Sequence, residues 1–154
     1  MKEIKERLGD KLLNIYEHTP NRIYLDIKRE DLKEVVEYFF LERDMRFVTA
    51  SGIDGRKEME ILYHFSEDST GKIYSLRVKI PKDDLKIDSL TSLIKGAEFI
   101  EREIFEMLGI EFTGHPNLTR LLLAEDWPEG IYPLRRDEKG IRDLKERNWE
   151  KKNG

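Results

Sequence analysis

Residues 72–80, KIYSLRVKI, alternate without a break. Ile73, Ser75, Arg77 and Lys79 fall on one side, and Tyr74, Leu76, Val78 and Ile80 on the other. Successive side chains of a strand point to opposite faces, so this stretch demands a sheet with one buried and one wet face. Pro81 closes it. Two further strands are predicted before it, over 46–53 and 59–65, and Asp54-Gly55 between them suits a tight turn in which both positions take positive φ. Ile23, Leu25 and Ile27 alternate with Tyr24 and Asp26, which predicts a strand over 22–28. Asp31 followed by Glu34 fits a capping arrangement, and Leu32, Val35, Val36, Phe39 and Phe40 supply the apolar face of a helix. Ile4, Leu8, Leu12 and Ile15 recur at helical spacing, predicting a helix over 2–17 that Thr19-Pro20-Asn21 ends. The expected fold is α+β: an N-terminal helix, a mostly antiparallel sheet with helices packed on one face, and an irregular C-terminal extension.

From Ser89 the period changes to that of a helix. Leu90, Leu93, Ile94, Ala97, Ile104 and Leu108 share a stripe, and Gly109 suits the helix end. Beyond it come short elements and prolines through Tyr132-Pro133, then a dense mixture of charges. This predicts one domain over 1–137 and a charged tail over 138–154, anchored only by Ile141, Leu144 and Trp149 and suited to ordering on a partner as a binding arm.

One side chain conflicts with the stripe. Glu101 falls among Ala97, Ile104, Phe105 and Leu108, whereas Glu98, Arg102 and Glu106 fall outside it, spaced for i,i+4 pairs on a wet face. A buried carboxylate costs several kcal/mol unless paired or protonated. The expectation is therefore a cation beside Glu101, drawn from Arg120, Arg135, Arg136 or His115. Such a pair would pin the irregular region to the helix. The sharper alternative is an independent enzyme on a small substrate, with Glu101 and His115 as its acid–base groups.

Composition closes off most chemistries. The chain has no cysteine, hence no thiolate nucleophile, no Cys-held iron–sulfur cluster and no Cys-ligated zinc. Its three histidines, His18, His64 and His115, lack metal-site spacing. There is no glycine-rich phosphate loop and no serine-centred elbow. A net charge of -4 gives no drive toward nucleic acid. No apolar run approaches the length of a membrane span, and no signal-peptide core opens the chain, so a cytoplasmic protein is expected. Charged residues make up 39%, against roughly a quarter in ordinary domains, a profile similar to that of heat-adapted proteins.

The C-terminal third adds a longer pattern. It runs Glu101-Arg102-Glu103-Ile104-Phe105-Glu106-Met107-Leu108-Gly109-Ile110, then Phe112 and Gly114-His115-Pro116, then Leu121-Leu122, Glu125-Asp126-Trp127 and Tyr132-Pro133-Leu134-Arg135-Arg136-Asp137. This order resembles the 30-kDa subunit family of respiratory complex I (the C subunit of NADH-quinone oxidoreductase) and related subunits of energy-converting membrane-bound hydrogenases. The likeness covers residues 89–137, with the signature at 98–137. Asn117 and Thr119-Arg120 depart from the family's usual acid and basic pair, and Pro128-Glu129-Gly130-Ile131 lengthens a turn, which resembles the archaeal hydrogenase branch.

The resemblance implies a non-catalytic subunit of the hydrophilic arm. It implies no cofactor in this chain, with iron–sulfur clusters and a NiFe or quinone site in partner subunits. The partners would be the large (quinone-site or NiFe) subunit and the small iron–sulfur subunit. The place would be peripheral, on the cytoplasmic side of the membrane. Glu101, Arg102, Glu103, His115, Arg120, Asp126, Trp127, Arg135 and Arg136 would then be structural or interface residues. GHPNLTRLLLAEDWP would be a folded-back clip, with leucines in the core and Arg, Trp and acids on a partner-facing or self-bracing rim.

Overall fold

The structure, a computed structural model, describes residues 1–136. Asp137 and the tail, with Ile141, Leu144 and Trp149, lie outside the described residues. The elements in chain order are α1 (Lys2–Leu8), β1 (Leu12–Thr19), β2 (Arg22–Ile27), α2 (Leu32–Glu37), β3 (Arg46–Asp54), β4 (Glu58–Glu67), β5 (Lys72–Pro81), β6 (Lys86–Asp88), α3 (Ala97–Leu108) and β7 (Glu111–Thr113).

The main sheet has the order β1-β2-β5-β4-β3. The β3-β4-β5 meander is antiparallel as the alternation predicts, with Ala50 opposite Tyr63 and Tyr63 opposite Leu76. The sheet as a whole is mixed, because β2 pairs with β5 in parallel. The chain leaves β2 through α2, crosses to the far edge, and the three-strand meander brings β5 back beside β2. Tight hairpins alone join antiparallel neighbours; a parallel neighbour needs such a crossover.

The N-terminal prediction is corrected. The helix stops at Leu8, where Gly9 takes a φ of 52°, and Leu12 to Thr19 is a strand rather than a helical continuation. Ile4 and Leu8 do enter the core, but Ile15 reaches it from β1. Ile15, Tyr16 and Thr19 are β-branched or aromatic, and pairing with β2 outweighs the shared helical spacing. Pro20-Asn21 turns the β1–β2 hairpin instead of ending a helix.

Smaller corrections share one cause: local rules yield to neighbours. Asp31 makes no side-chain cap to α2. Neither Asp54 nor Gly55 has positive φ; glycine is required at 55 because a Cβ there would lie 2.5 Å from the Glu58 carbonyl oxygen. The stripe from Ser89 becomes helix only at Ala97. Before it, Leu90 and Ile94 are buried outside the helix, in a turn closed by the Leu93 and Ile94 N–H groups on the Leu90 carbonyl.

α1, α2 and α3 pack on one face of the sheet. Leu8, Val35, Phe39 and Leu108 join Leu25, Ile61, Phe65 and Leu76 in a single core. The opposite face carries Asp26 and Arg77, paired at 2.6 Å, and His64, whose Nδ1 sits 2.8 Å from the Ser75 hydroxyl. Burial, aided by the Arg22 charge, holds the His64 pKa below its usual value.

α3 reaches the sheet over β3 by way of Gly52. A Cβ at 52 would lie 2.5 Å from Leu108 Cδ1 and 3.2 Å from Ile104 Cγ2. Gly52→Ala is expected to cost about 1–2 kcal/mol by overpacking, read as a lower denaturant midpoint with an unchanged slope. Combined with Leu108→Val, its cost should be less than the sum of the two single losses. Simple additivity would show that this contact is not the cause.

Candidate functional site

The sequence signature is one physical unit. α3 lies beside the irregular segment 114–136 and bonds to it over 115–123 and again at 134–135. The segment runs in the same direction as the helix, so successive helix positions meet successive loop positions. At the start, His115 Nε2 lies 3.0 Å from the Glu98 carbonyl oxygen, and the Asn117 N–H donates to His115 Nδ1 at 3.0 Å. Nδ1 is thus an acceptor, which places the ring hydrogen on Nε2, facing Glu98. Both nitrogens are spent on backbone.

One turn on, Arg102 donates to the Thr119 carbonyl at 3.0 Å and the Arg120 carbonyl at 2.5 Å. One further turn on, Glu106 accepts the N–H groups of Leu121, Leu122 and Leu123 at 3.0, 2.7 and 3.2 Å. Glu98, Arg102 and Glu106 are the row expected on a wet face. Instead they form the loop's attachment rail, and Glu106 is only 4% exposed. Three consecutive N–H groups converging on one carboxylate make a charge-assisted anchor.

The loop then braces itself. Arg120 donates to the carbonyls of Ala124 and Glu125, and the Trp127 indole donates to the Ile131 carbonyl at 2.8 Å. The far end returns to the helix through Leu134 N–H on the Met107 carbonyl and Arg135 Nε on the Leu108 carbonyl, at 2.8 Å. The Arg135 guanidinium sits 4.2 Å from the Tyr132 ring centre. Gly109, at φ 75°, is the point these groups crowd: a Cβ there would lie 2.5 Å from Arg135 Nη2 and 2.6 Å from Tyr132.

Glu101 faces away from this rail, and the expectation of a cation at it is overturned. It is fully buried. Its Oε2 accepts the Ser89 hydroxyl at 2.6 Å and its Oε1 the Leu90 N–H at 2.7 Å. Burial pushes its carboxyl above the ordinary range despite these two donors. None of Arg120, Arg135, Arg136 or His115 bonds to it, although the His115 and Lys33 charges, acting without a bond, offset part of the effect of burial. Two neutral donors suffice because Ser89 and Leu90 sit on the turn that precedes α3, directly over its buried face. Nearby, the Tyr63 hydroxyl is buried without a hydrogen-bond partner among the described residues. Burial, reinforced by the Glu101 charge, raises its pKa well above the usual value.

The remaining predicted residues are dispersed. Glu103 is half-buried in the groove between α3 and β3, beside Ser51, Gly52 and Leu134. Asp126 is exposed. Arg136 reaches β3, where its N–H donates to Asp54 Oδ2 at 2.7 Å. Asp54 is itself buried, with Lys82 Nζ at 2.5 Å. Burial would raise its carboxyl, but Lys82, the Arg136 N–H and the Arg135 charge together hold it below its usual value. Ser89, Glu106, Asp54 and Lys82 were not found by sequence reasoning. Only Glu106 carried a signal, as the third member of the four-residue row.

The segment folds back on α3 as expected of a clip, but its leucines do not enter the core: Leu122 is 61% exposed and Leu121 and Leu123 are half-buried. Glu101 is sealed, and His115 is committed to backbone on both nitrogens. Among the described residues no group of three His, Asp or Glu side chains could hold a metal ion, and no helix is long and apolar enough to cross a membrane. The exposed apolar side chains include Phe99 at 60%, Leu122 at 61% and Leu134 at 59%. All three belong to α3 or the segment it holds.

Comparisons with known proteins give the family and the fold. The family described as respiratory-chain NADH dehydrogenase, 30 Kd subunit, matches residues 25–143. The C subunit of NADH-quinone oxidoreductase from Citrifermentans bemidjiense is 32% identical over 141 residues, covering 88% of this chain and 84% of that protein. Membrane-bound hydrogenase subunit beta of Pyrococcus furiosus is 37% identical, covering 78% and 72%. The C subunit of F(420)H(2) dehydrogenase from Methanosarcina mazei is 34% identical, covering 84% of each. Among solved structures, a chain of the membrane-bound sulfane sulfur reductase, an archaeal respiratory membrane complex, superposes with a TM-score of 0.84 at 18% identity, covering 96% of this chain and 88% of that one. The trypsin-resistant fragment of Nqo5 gives a TM-score of 0.66 at 22% identity, covering 76% and 97%.

Proposed function

The chain belongs to the respiratory-chain NADH dehydrogenase 30 Kd subunit family, and on that premise we propose that it is a non-catalytic structural subunit in the hydrophilic arm of its complex. It is a subunit of complexes of the complex I and membrane-bound hydrogenase kind. In this reading it seats against a large subunit bearing a quinone or NiFe site and a small iron–sulfur subunit. The iron–sulfur clusters and the NiFe or quinone site belong to those partners, and it holds none itself. It is peripheral, on the cytoplasmic side of the membrane, retained there through its partners.

The observation that carries this reading is how the signature residues are used. Arg102, Glu106, His115, Trp127 and Arg135 bond to backbone atoms of α3 or of the loop itself. They build a fixed shape, and every side chain named among them is spent on backbone. That shape presents Phe99 on α3 and Leu122 and Leu134 on the loop outward, and exposed large apolar side chains suit a protein contact.

Purification from gently solubilised native membranes tests the proposal. The chain should travel with a large metal- or quinone-binding subunit and an iron–sulfur subunit. Elution as a solitary protein would overturn it. The isolated chain should be colourless and inert toward small substrates; turnover that Glu101→Gln abolishes would favour the enzyme reading instead.

A further inference from the structure

The end of the clip borders a cleft of about 430 Å³, lined by Asp54, Gly55, Arg56, Met59, Lys82, Leu85, Arg135 and Arg136. Its charge is one-sided. Among the described residues, four cations come from three separated chain segments, against a single acid. That acid is already used: Asp54 is buried, with Lys82 on one oxygen and the Arg136 N–H on the other. Arg56 and Arg136 are exposed, and neither guanidinium meets a carboxylate among the described residues.

This is unusual for this chain. Acids outnumber bases 32 to 28, and five of the eight described arginines outside the cleft are matched with them. Arg7 pairs with Glu42, Arg29 with Asp84, Arg43 with Glu67, Arg46 with Asp68 and Arg77 with Asp26. The groove on the other side of the β5 end mixes Lys28, Arg29, Arg77 and Lys79 with Asp26, Glu30 and Glu58. In the cleft, like charges stand together at an electrostatic cost that an incoming anion would remove. Arg135 is pre-set by the Leu108 carbonyl and the Tyr132 ring, so binding need not order it.

We propose that this cleft docks a carboxylate-bearing segment of a partner polypeptide, gripped by Arg56, Arg135 and Arg136 around the Lys82–Asp54 pair. Guanidinium groups match carboxylates in a planar, two-bond geometry. The floor of Met59 and Leu85 is apolar and suits the aliphatic stem of a Glu side chain. Cations spread over three segments favour several carboxylates along a chain over one compact anion. The proposal rests on the subunit reading above, since the segment must come from a neighbour.

The test uses the full chain and a hexaglutamate peptide as probe, followed by calorimetry and by amide chemical shifts. Saturable one-site binding is expected, with shifts centred on Gly55 and Met59. R56E/R136E should weaken it about ten-fold or more. K5E/K95E, an equal charge change at two exposed lysines elsewhere, should leave it unchanged. Should R56E/R136E fail to fold, Arg56→Gln with Arg136→Gln serves the same purpose. Absence of saturation, an equal loss in K5E/K95E, or full displacement by an equivalent of inorganic phosphate would overturn the assignment. The two readings separate cleanly. If the wild type copurifies with its complex but does not bind the peptide, the cleft falls and the subunit stands. If it binds the peptide but elutes alone, the subunit reading falls.

Discussion

Glu106→Ala is expected to release residues 119–124 from α3 while leaving the sheet intact. The substitution removes the one acceptor shared by three consecutive N–H groups. Hydrogen bonds to a charged acceptor are worth about 1.5–3 kcal/mol each in net terms, but these amides are only partly buried, so water can replace part of the loss. A net cost of about 3 kcal/mol follows, which for a domain near this size lowers the melting midpoint by about 6–12 °C. Glu106→Gln should lose about a third of that, because its carbonyl oxygen still accepts while its NH2 cannot. Hydrogen exchange gives the sharper readout: Leu121, Leu122 and Leu123 amides should lose protection, and Ile61 and Val78 in the sheet should keep theirs. Unchanged protection at 121–123 would mean that Glu106 does not anchor the loop.

Glu101 should behave in the opposite sense to a salt-bridged acid. Its carboxyl titrates higher in the folded protein than in the unfolded chain, because burial disfavours the charge. Between the two values the folded state binds more protons, so stability falls as pH rises and the full penalty is present above the folded-state value. Glu101→Gln removes that penalty. Its oxygen can accept from Leu90, and its NH2 can donate to the Ser89 hydroxyl, which can turn its hydrogen to Thr91 Oγ1, 2.8 Å away. The Gln variant should therefore match or exceed the wild-type melting midpoint at neutral pH and lose this pH dependence. Glu101→Ala, which strands the buried Leu90 N–H and opens a void, should cost about 3 kcal/mol. A Gln variant that falls as far as the Ala variant would show that the negative charge itself is needed, and the neutral-donor account would be wrong.

The strands that alternate were legible because burial on one face writes itself into every second residue. β3, β4 and β5 fall within two residues of the expected spans. The parallel pairing of β2 with β5 was not legible, since no local pattern reports which strand a chain returns to after a crossover. β1 was hidden because Ile4, Leu8, Leu12 and Ile15 satisfy a helical period across a boundary that only Gly9 marks. β6 and β7, three residues each, are too short to carry a period. At the candidate site, the anomaly at Glu101 was readable as a buried acid, but its partners were not. Ser89 and a backbone N–H leave no charge signature in a sequence. Glu106 was misplaced for the same reason: its three partners are backbone atoms, and a carboxylate that binds backbone looks solvent-facing until the loop is in view.

The grip of α3 on its loop has an evolutionary corollary. Arg102 and Glu106 hold carbonyls and N–H groups, which every residue except proline supplies alike. The side chains at 119 and 121–123 can therefore be exchanged without loosening the hold, whereas Arg120 braces the turn beyond them. A lineage could rewrite the outward rim at those positions while inheriting the same attachment, at little cost to folding.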